Sequence, residues 1–174
     1  MSWRNRLFAI IGAGLLGTSL AGCGFHPLYA DRGTDELDPL LASVQVDQVR
    51  ERLGQVLTNQ LRDGFNPTSV SVPARYRLDV SLTTAQYDSA LRSDGTASHT
   101  AIRITAEYVL RSLADNKSVT TGKVKSDNGL DVLDNQYANT IGVQTEELRA
   151  VHDVGDQIHQ KIAIYLRQTA AAKP

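Results

Sequence analysis

Apolar and polar side chains alternate through residues 75–83 and again through 98–113. Tyr76, Leu78, Val80 and Leu82 interleave with Arg75, Arg77, Asp79 and Ser81. Ile102, Ile104, Ala106, Tyr108 and Leu110 interleave with Arg103, Thr105, Glu107 and Arg111. A period of two is the signature of a strand with one face buried and one wet. Asp94-Gly95 lies between the two stretches and supplies the positive φ angles of a tight hairpin turn. Arms paired all the way to that turn form a ribbon of about 55 Å, at ~3.3 Å per residue. The alternation weakens over residues 85–90, where a bend or interruption is expected. A hairpin this long has one continuous apolar face, and the rest of the chain must cover it.

The remaining segments read as that cover. Residues 40–49, with Val44, Val46 and Val49, suggest a first strand. From Arg50 onward Leu53, Val56, Leu57 and Leu61 share a helical face, Gly64 suits the C′ position, and Pro67 prevents continuation. Asp115-Asn116-Lys117 is a turn into a fourth strand over residues 119–126. Residues 127–142 read as a structured loop pinned by Leu130, Val132, Leu133, Tyr137 and Ile141. A long helix is expected over 143–168, from the spacing of Leu148, Val151, Gly155, Ile158, Ile162 and Tyr165. Thr145 would cap it, with Glu146 and Glu147 favourable to its dipole. Gly155 in mid-helix costs about 1 kcal/mol against Ala, which points to a close pass against a strand. The order β-α-β-β-β-α predicts an α+β fold, a two-layer sandwich in which two helices cover a mixed four-stranded sheet. Residues 39–169 make one such domain, and 170–174 fray.

The N-terminus carries an address. Arg4 and Arg6 precede an apolar run over residues 7–19, too short for a comfortable membrane span. Leu20-Ala21-Gly22-Cys23 follows, and small residues before the sole cysteine match a bacterial lipobox. An ordinary signal peptide and a lone buried cysteine are the alternatives. No second cysteine exists to form a disulfide, and the apolar run stops three residues before this motif. On the lipobox reading residues 1–22 are removed, Cys23 is acylated, and residues 23–38 form a tether. Stable anchoring needs more than one lipid chain, and a lipobox cysteine normally receives several. Gly24, rather than Asp, follows the cysteine, which by the sorting rule of many Gram-negative bacteria favours the periplasmic side of the outer membrane.

Chemistry is hard to find in the mature chain. Its acids outnumber its bases, so a nucleic-acid footprint is not expected. His152 and His159 stand seven residues apart, about 10 Å along a helix, too far for one zinc, and read as solvated. His26 and His99 have no ligand-spaced companions. No G-x-S-x-G, S-x-x-K, H-E-x-x-H or glycine-rich phosphate loop occurs. Asp127, Asp131 and Asp134 with Asn128 and Gly129 echo a calcium loop but lack its spacing and closing Glu. A non-enzymatic protein without metal or cofactor is the expectation. Residues 75–125 carry eight bases against five acids, while the rest of the mature chain is acidic. Outward charges of this kind guard a sheet against aggregation. They also suit docking of an anionic lipid head group, with Lys123 and Lys125 as supporting candidates.

Several features together resemble the LptE family of lipopolysaccharide-assembly lipoproteins. They are the Cys23-Gly24-Phe25-His26-Pro27-Leu28-Tyr29 start, the helix from Leu53 to Gly64, the long hairpin with Arg92 at its turn, and Asp131-Val132-Leu133-Asp134-Asn135-Gln136-Tyr137-Ala138 before the terminal helix. The resemblance covers essentially the whole mature chain. It implies a lipoprotein that plugs and helps assemble an LptD-type outer-membrane β-barrel and contacts lipopolysaccharide on its way to the outer leaflet. It implies a lipid contact at Arg92, which matches a basic residue at the family's hairpin turn. The family's second contact, a lysine in the loop before the last helix, is replaced here by Asn139 and Thr140. An auxiliary lipoprotein of an ABC-type lipid transporter is the alternative function.

Overall fold

The computed structural model describes residues 37–91, 93 and 95–171; Cys23, His26 and Arg92 lie outside the described residues. The elements run α1 (Leu37–Ala42), β1 (Val44–Val46), α2 (Glu51–Phe65), β2 (Tyr76–Leu91), β3 (Ala97–Ser112), β4 (Ser118–Asp131) and α3 (Gln136–Ala171). The sheet order is β1-β2-β3-β4, with β1 parallel to β2 and the other pairs antiparallel. The α+β sandwich with a mixed four-stranded sheet is therefore the observed fold, with one short helix added at its start. No helix among the described residues is long and apolar enough to cross a membrane.

The first strand is shorter than the valines suggest. Pro39 fixes a helical φ in the first turn of α1. The Ser43 hydroxyl then donates to the Leu40 carbonyl at 2.7 Å and ends that helix. Only Val44, Gln45 and Val46 remain extended, paired with Tyr76, Arg77 and Leu78. Val49 is buried outside the sheet, under the first turn of α2. Its N–H donates to Thr58 Oγ1, and a Cβ at Gly54 would stand 2.7 Å from its side chain. The buried face of α2 is Gly54, Leu57, Thr58, Leu61 and Phe65, so Leu53 and Val56 fall on its flank.

Gly64 is not the C′ residue. The helix continues to Phe65 and closes at Asn66, whose N–H donates to the Arg62 carbonyl. Gly64 instead leaves room for the His159 ring, 3.4 Å from where a Cβ would be. Gly155 has the matching role on α3, but against a helix rather than a strand. Gln60 of α2 lies over it, donating to the His152 carbonyl and to Asp156 Oδ1 and meeting His152 Nδ1 through Oε1. Two glycines, one on each helix, thus set the α2–α3 crossing.

β2 and β3 pair continuously from Tyr76↔Ser112 to Asp88↔Thr100, and register shifts follow at residues 88–91. The irregularity expected over 85–90 is thus present only at the end of that stretch, because pairing is made by the backbone and needs no alternation. β4 likewise runs on to Asp131 rather than stopping near 126. Asp127, Asn128 and Gly129 are poor strand formers, yet each has a use in the sheet. Asp127 pairs with Arg103, Asn128 donates to the Glu146 carbonyl, and Gly129 gives space to His99. Tertiary contacts override propensity here.

The terminal helix begins a full two turns before residue 143. Asn135 Oδ1 accepts from the Tyr137 and Ala138 N–H groups at 3.0 and 3.2 Å, a side-chain cap. Thr145, the expected cap, is mid-helix and donates to the Ile141 carbonyl. α3 packs along β3 and β4, while α2 fills the space between α3 and β1. Ile102, Ile104, Ala106 and Leu110 of β3 and Val151, Val154, Ile158 and Ile162 of α3 are fully buried. The inner row read from the sequence is the floor of this core.

Tyr108 completes that row and lies over Gly122 of β4. A Cβ at Gly122 would fall 2.4–2.7 Å from three atoms of the Tyr108 ring and hydroxyl. Gly122→Val should therefore destabilise by about 1–3 kcal/mol through overpacking, against a strand propensity that favours valine. Urea unfolding of the two proteins measures the sign; a more stable variant would show that the Tyr108 ring moves freely.

Candidate functional site: the outward sheet face and the hairpin end

The alternation that buries one row of the sheet presents the other to solvent as a series of cross-strand ion pairs. Near the β1 end, Asp79 accepts from Arg111 Nε at 3.1 Å and lies 3.4 Å from Arg77 Nε, which is also 3.8 Å from Asp47. Midway, Lys123 Nζ meets Glu107 at 2.9 Å. Toward the hairpin, Asp127 joins Arg103 and Lys125. Arg103 also donates to the Tyr87 hydroxyl, with its guanidinium carbon 5.5 Å from that ring's centroid. The registers Glu107↔Lys123 and Arg103↔Asp127 place these groups directly opposite one another.

This face is accordingly a ladder of alternating sign. The basic excess counted along residues 75–125 is offset in space by carboxylates on neighbouring strands and by Asp47 from outside that segment. The Asp127 carboxylate raises the Arg103 pKa through their hydrogen bond and charge. Asp47 is raised by burial first and by its neighbour Asp79 second, with Arg77 and Arg62 opposing. Exposed pairs of this kind add little stability. They set strand register and keep a broad sheet face soluble.

Lys123 and Lys125 share this outward face, two residues apart on β4. Their side chains are about two-thirds exposed, and an ammonium has three donors, so each retains donors for an external anion beyond its carboxylate. They sit opposite Glu107 and Thr105, whereas the hairpin turn follows the Leu91↔Ala97 pair. At ~3.3 Å per residue they stand about 25–35 Å along the ribbon from that turn. The structure does not bring the two lysines to the Arg92 end.

Several apolar side chains toward the hairpin end of the sheet and the start of α3 are exposed. Leu91 and Tyr137 are 65% and 73% exposed, and Tyr87, Leu133 and Ile141 are also well exposed for apolar side chains. The Val132 N–H donates to the Ser98 carbonyl, which ties the segment before α3 to the base of the hairpin. Asn139 clamps Leu133 by accepting from its N–H and donating to its carbonyl, both at 2.8 Å. Asn139 is thus structural, and Thr140 Oγ1 donates to the Gln136 carbonyl within α3. His99 Nδ1 lies 2.8 Å from Asp131. Leu133, Tyr137 and Ile141, read from the sequence as pins into the core, are instead exposed, which only the folded surface reveals.

The remaining candidates resolve simply. Asp127 and Asp131 are engaged by Arg103 and His99, and no group of three metal-ligating side chains gathers among the described residues. His152 is exposed as expected. His159 is not solvated: its ring tilts against Phe65 at a centroid separation of 5.1 Å. Burial lowers its pKa, opposed by a hydrogen bond with the Gly64 backbone and by Asp156.

A profile of the LptE lipopolysaccharide-assembly family matches residues 41–166, nearly the whole described sandwich. The chain belongs to the LptE family. The family is one of lipopolysaccharide assembly. Solved structures share the fold. A lipoprotein from Caulobacter crescentus CB15 is 21% identical, with a TM-score of 0.60 over 75% of this chain and 96% of its own. Rare lipoprotein B from Shewanella oneidensis is 11% identical, with a TM-score of 0.58 over 73% and 96%. Lipoprotein B from Nitrosomonas europaea is 12% identical, with a TM-score of 0.56 over 71% and 82%. A comparison with curated proteins finds no match.

His159 makes the LptE-family sandwich sensitive to acid. Its folded pKa lies below the unfolded value near 6.5, so the unfolded chain takes up the proton first as pH falls. Its contribution to stability is intact above pH 6.5 and is lost progressively below it. The urea midpoint should fall between pH 7.5 and 5.5, and His159→Gln should flatten that part of the profile. An equal slope in the variant would assign the dependence elsewhere.

Proposed function

We propose that this LptE-family lipoprotein plugs and helps assemble an LptD-type lipopolysaccharide-export barrel at the periplasmic side of the outer membrane. Acylated Cys23 is the anchor, and residues 23–38 are the tether that carries the sandwich of residues 39–169. The observation that carries the reading is the family match over residues 41–166. The shape agrees with it. Strands of 16 residues and a 36-residue helix make a long rigid body, about 50 Å in each element, suited to filling a lumen. The outward face, with its signs alternating, suits contact with a polar barrel wall.

The lipid contact in this reading belongs to the hairpin end. Lipopolysaccharide is an amphiphile with phosphates beside acyl chains. Arg92 would supply a bidentate donor to a phosphate, and Leu91, Leu133, Tyr137 and Ile141 offer apolar surface at the same end of the sheet. Lys123 and Lys125, far along the ribbon, would meet other anionic groups of the same large lipid or of the barrel.

A pull-down from detergent-solubilised membranes tests the assignment. Co-purification with a large outer-membrane barrel supports it, and co-purification with an ABC-type transporter alone would replace it with the auxiliary-lipoprotein role. Arg92→Asp should weaken lipopolysaccharide binding at least severalfold with an unchanged circular dichroism spectrum. Unchanged binding by a folded variant would remove Arg92 from the contact. Cys23→Ala should give a soluble periplasmic or unprocessed product; outer-membrane fractionation of that variant would make the barrel, rather than the lipid, the main anchor.

A further inference from the structure

The two edges of the sheet are built differently. β4 forms one of them and carries Lys123, Lys125, Asp127 and Asp131 along its length. Charges at such positions are how natural sheets discourage a further strand from adding. β2 forms the other edge for most of its length, because β1 pairs only with Tyr76, Arg77 and Leu78. From Val80 to Tyr87 it reads Val-Ser-Leu-Thr-Thr-Ala-Gln-Tyr, with no charge, proline or glycine. Register shifts that would twist the edge away begin only at Asp88.

The backbone of this edge is aimed outward in a defined way. The Asp47 N–H donates to the Leu78 carbonyl at 3.0 Å, so Leu78 faces the β1 side. In an antiparallel strand the bonding direction alternates residue by residue. Val80, Leu82, Thr84 and Gln86 therefore direct their N–H and C=O groups away from β3, into the line that β1 would have occupied.

Among the described residues that line is clear. The chain leaves it immediately after β1, and Glu51, the first residue of α2, has a φ of +69°. A left-handed conformation at a non-glycine residue is strained, and such strain persists where the surroundings demand it. The departure leaves a groove of about 560 Å³ between residues 48–53 and residues 80–84, lined by Val49, Leu53, Val80 and Leu82 and also by Arg50 and Glu51.

We infer that the open edge of β2 receives an extended strand from the barrel partner of the proposed function, by strand addition beside residues 80–87. N–H and C=O groups alternating along a strand are matched by an extended polypeptide and not by a lipid or a sugar. The groove has a wall on its far side, so it takes a single strand. A second copy's β2, already bonded to its own β3, is too wide for it. The incoming segment carries apolar residues toward Leu53 and Leu82, small polar ones on the Ser81 and Thr83 side, and polar groups where it passes Arg50 and Glu51.

The inference rests on the barrel reading, and amide hydrogen exchange on the full chain, free and in the detergent-purified complex, tests the two separately. In the free protein the amides of Ser81, Thr83 and Ala85 are slow and those of Leu82, Thr84 and Gln86 are fast. In the complex Leu82, Thr84 and Gln86 should slow at least tenfold, which restores protection at every residue of the edge. A complex in which they stay fast overturns the inference alone. Failure of any barrel to co-purify overturns the function and this partner together. Slowing of the same amides in the isolated protein, with a dimer by sedimentation, would make the occupant a second copy and overturn the partner assignment. Thr84→Pro removes one outward N–H without touching the β2–β3 ladder. It should keep the thermal midpoint and reduce complex yield at least tenfold, whereas Thr84→Ala should not. Full yield with a folded Thr84→Pro would overturn the inference as well.

Discussion

β3 is the strand on which the other elements depend. It pairs along nearly its whole length with β2 on one side and β4 on the other, and its inward row lies under α3 with almost no exposure. Burial of Ile102, Ile104 and Leu110 releases apolar surface from water on the scale of about 1.5–3 kcal/mol per side chain. The same strand holds both neighbours in register. Because its inner row is apolar throughout, a one-residue slip would turn the core outward and the charges inward. The ion pairs of the outward face reinforce the same register from the other side, since Arg103 and Glu107 meet opposite charges only in this alignment.

The helices complete the layer through close approach rather than through side-chain bulk. Gly64 and Gly155 sit where α2 and α3 cross, and each is covered by a polar side chain of the other helix, His159 and Gln60. Phe65, Leu61 and Leu57 of α2 and Ile158 and Ile162 of α3 are all buried in the layer so formed. The crossing also half-buries a histidine, the main cause of its lowered pKa. The fold thereby couples its helix packing to pH at a position remote from both the hairpin end and the open edge.

Function in this architecture is distributed over surfaces, not concentrated in a pocket of reactive groups. The outward face is a mixed-sign ladder, exposed apolar side chains accompany the His99–Asp131 pair toward the hairpin end, and the β2 edge is uncharged over residues 80–87. Three surfaces of different chemistry on one rigid body suit a protein that works within an assembly. The lipopolysaccharide-assembly family to which the chain belongs is such a setting.

The sequence alone determined the inner rows of β2 and β3, the α+β order and the family. These are legible because alternation and helical periodicity are local patterns, written in neighbouring residues. The lengths of the elements were decided by tertiary structure. β4 extends through Asp127 to Asp131 because Arg103 and His99 wait on the next strand, and α3 starts early because Asn135 caps it. The roles of Gly64 and Gly155 belong to a helix crossing that joins residues about 95 apart in the chain. Lys123 and Lys125 looked like companions of Arg92 by charge, but their distance from the turn follows only from strand register. The open edge is likewise invisible in the sequence of β2 itself. It exists because β1, thirty residues earlier, stops after three residues and turns away.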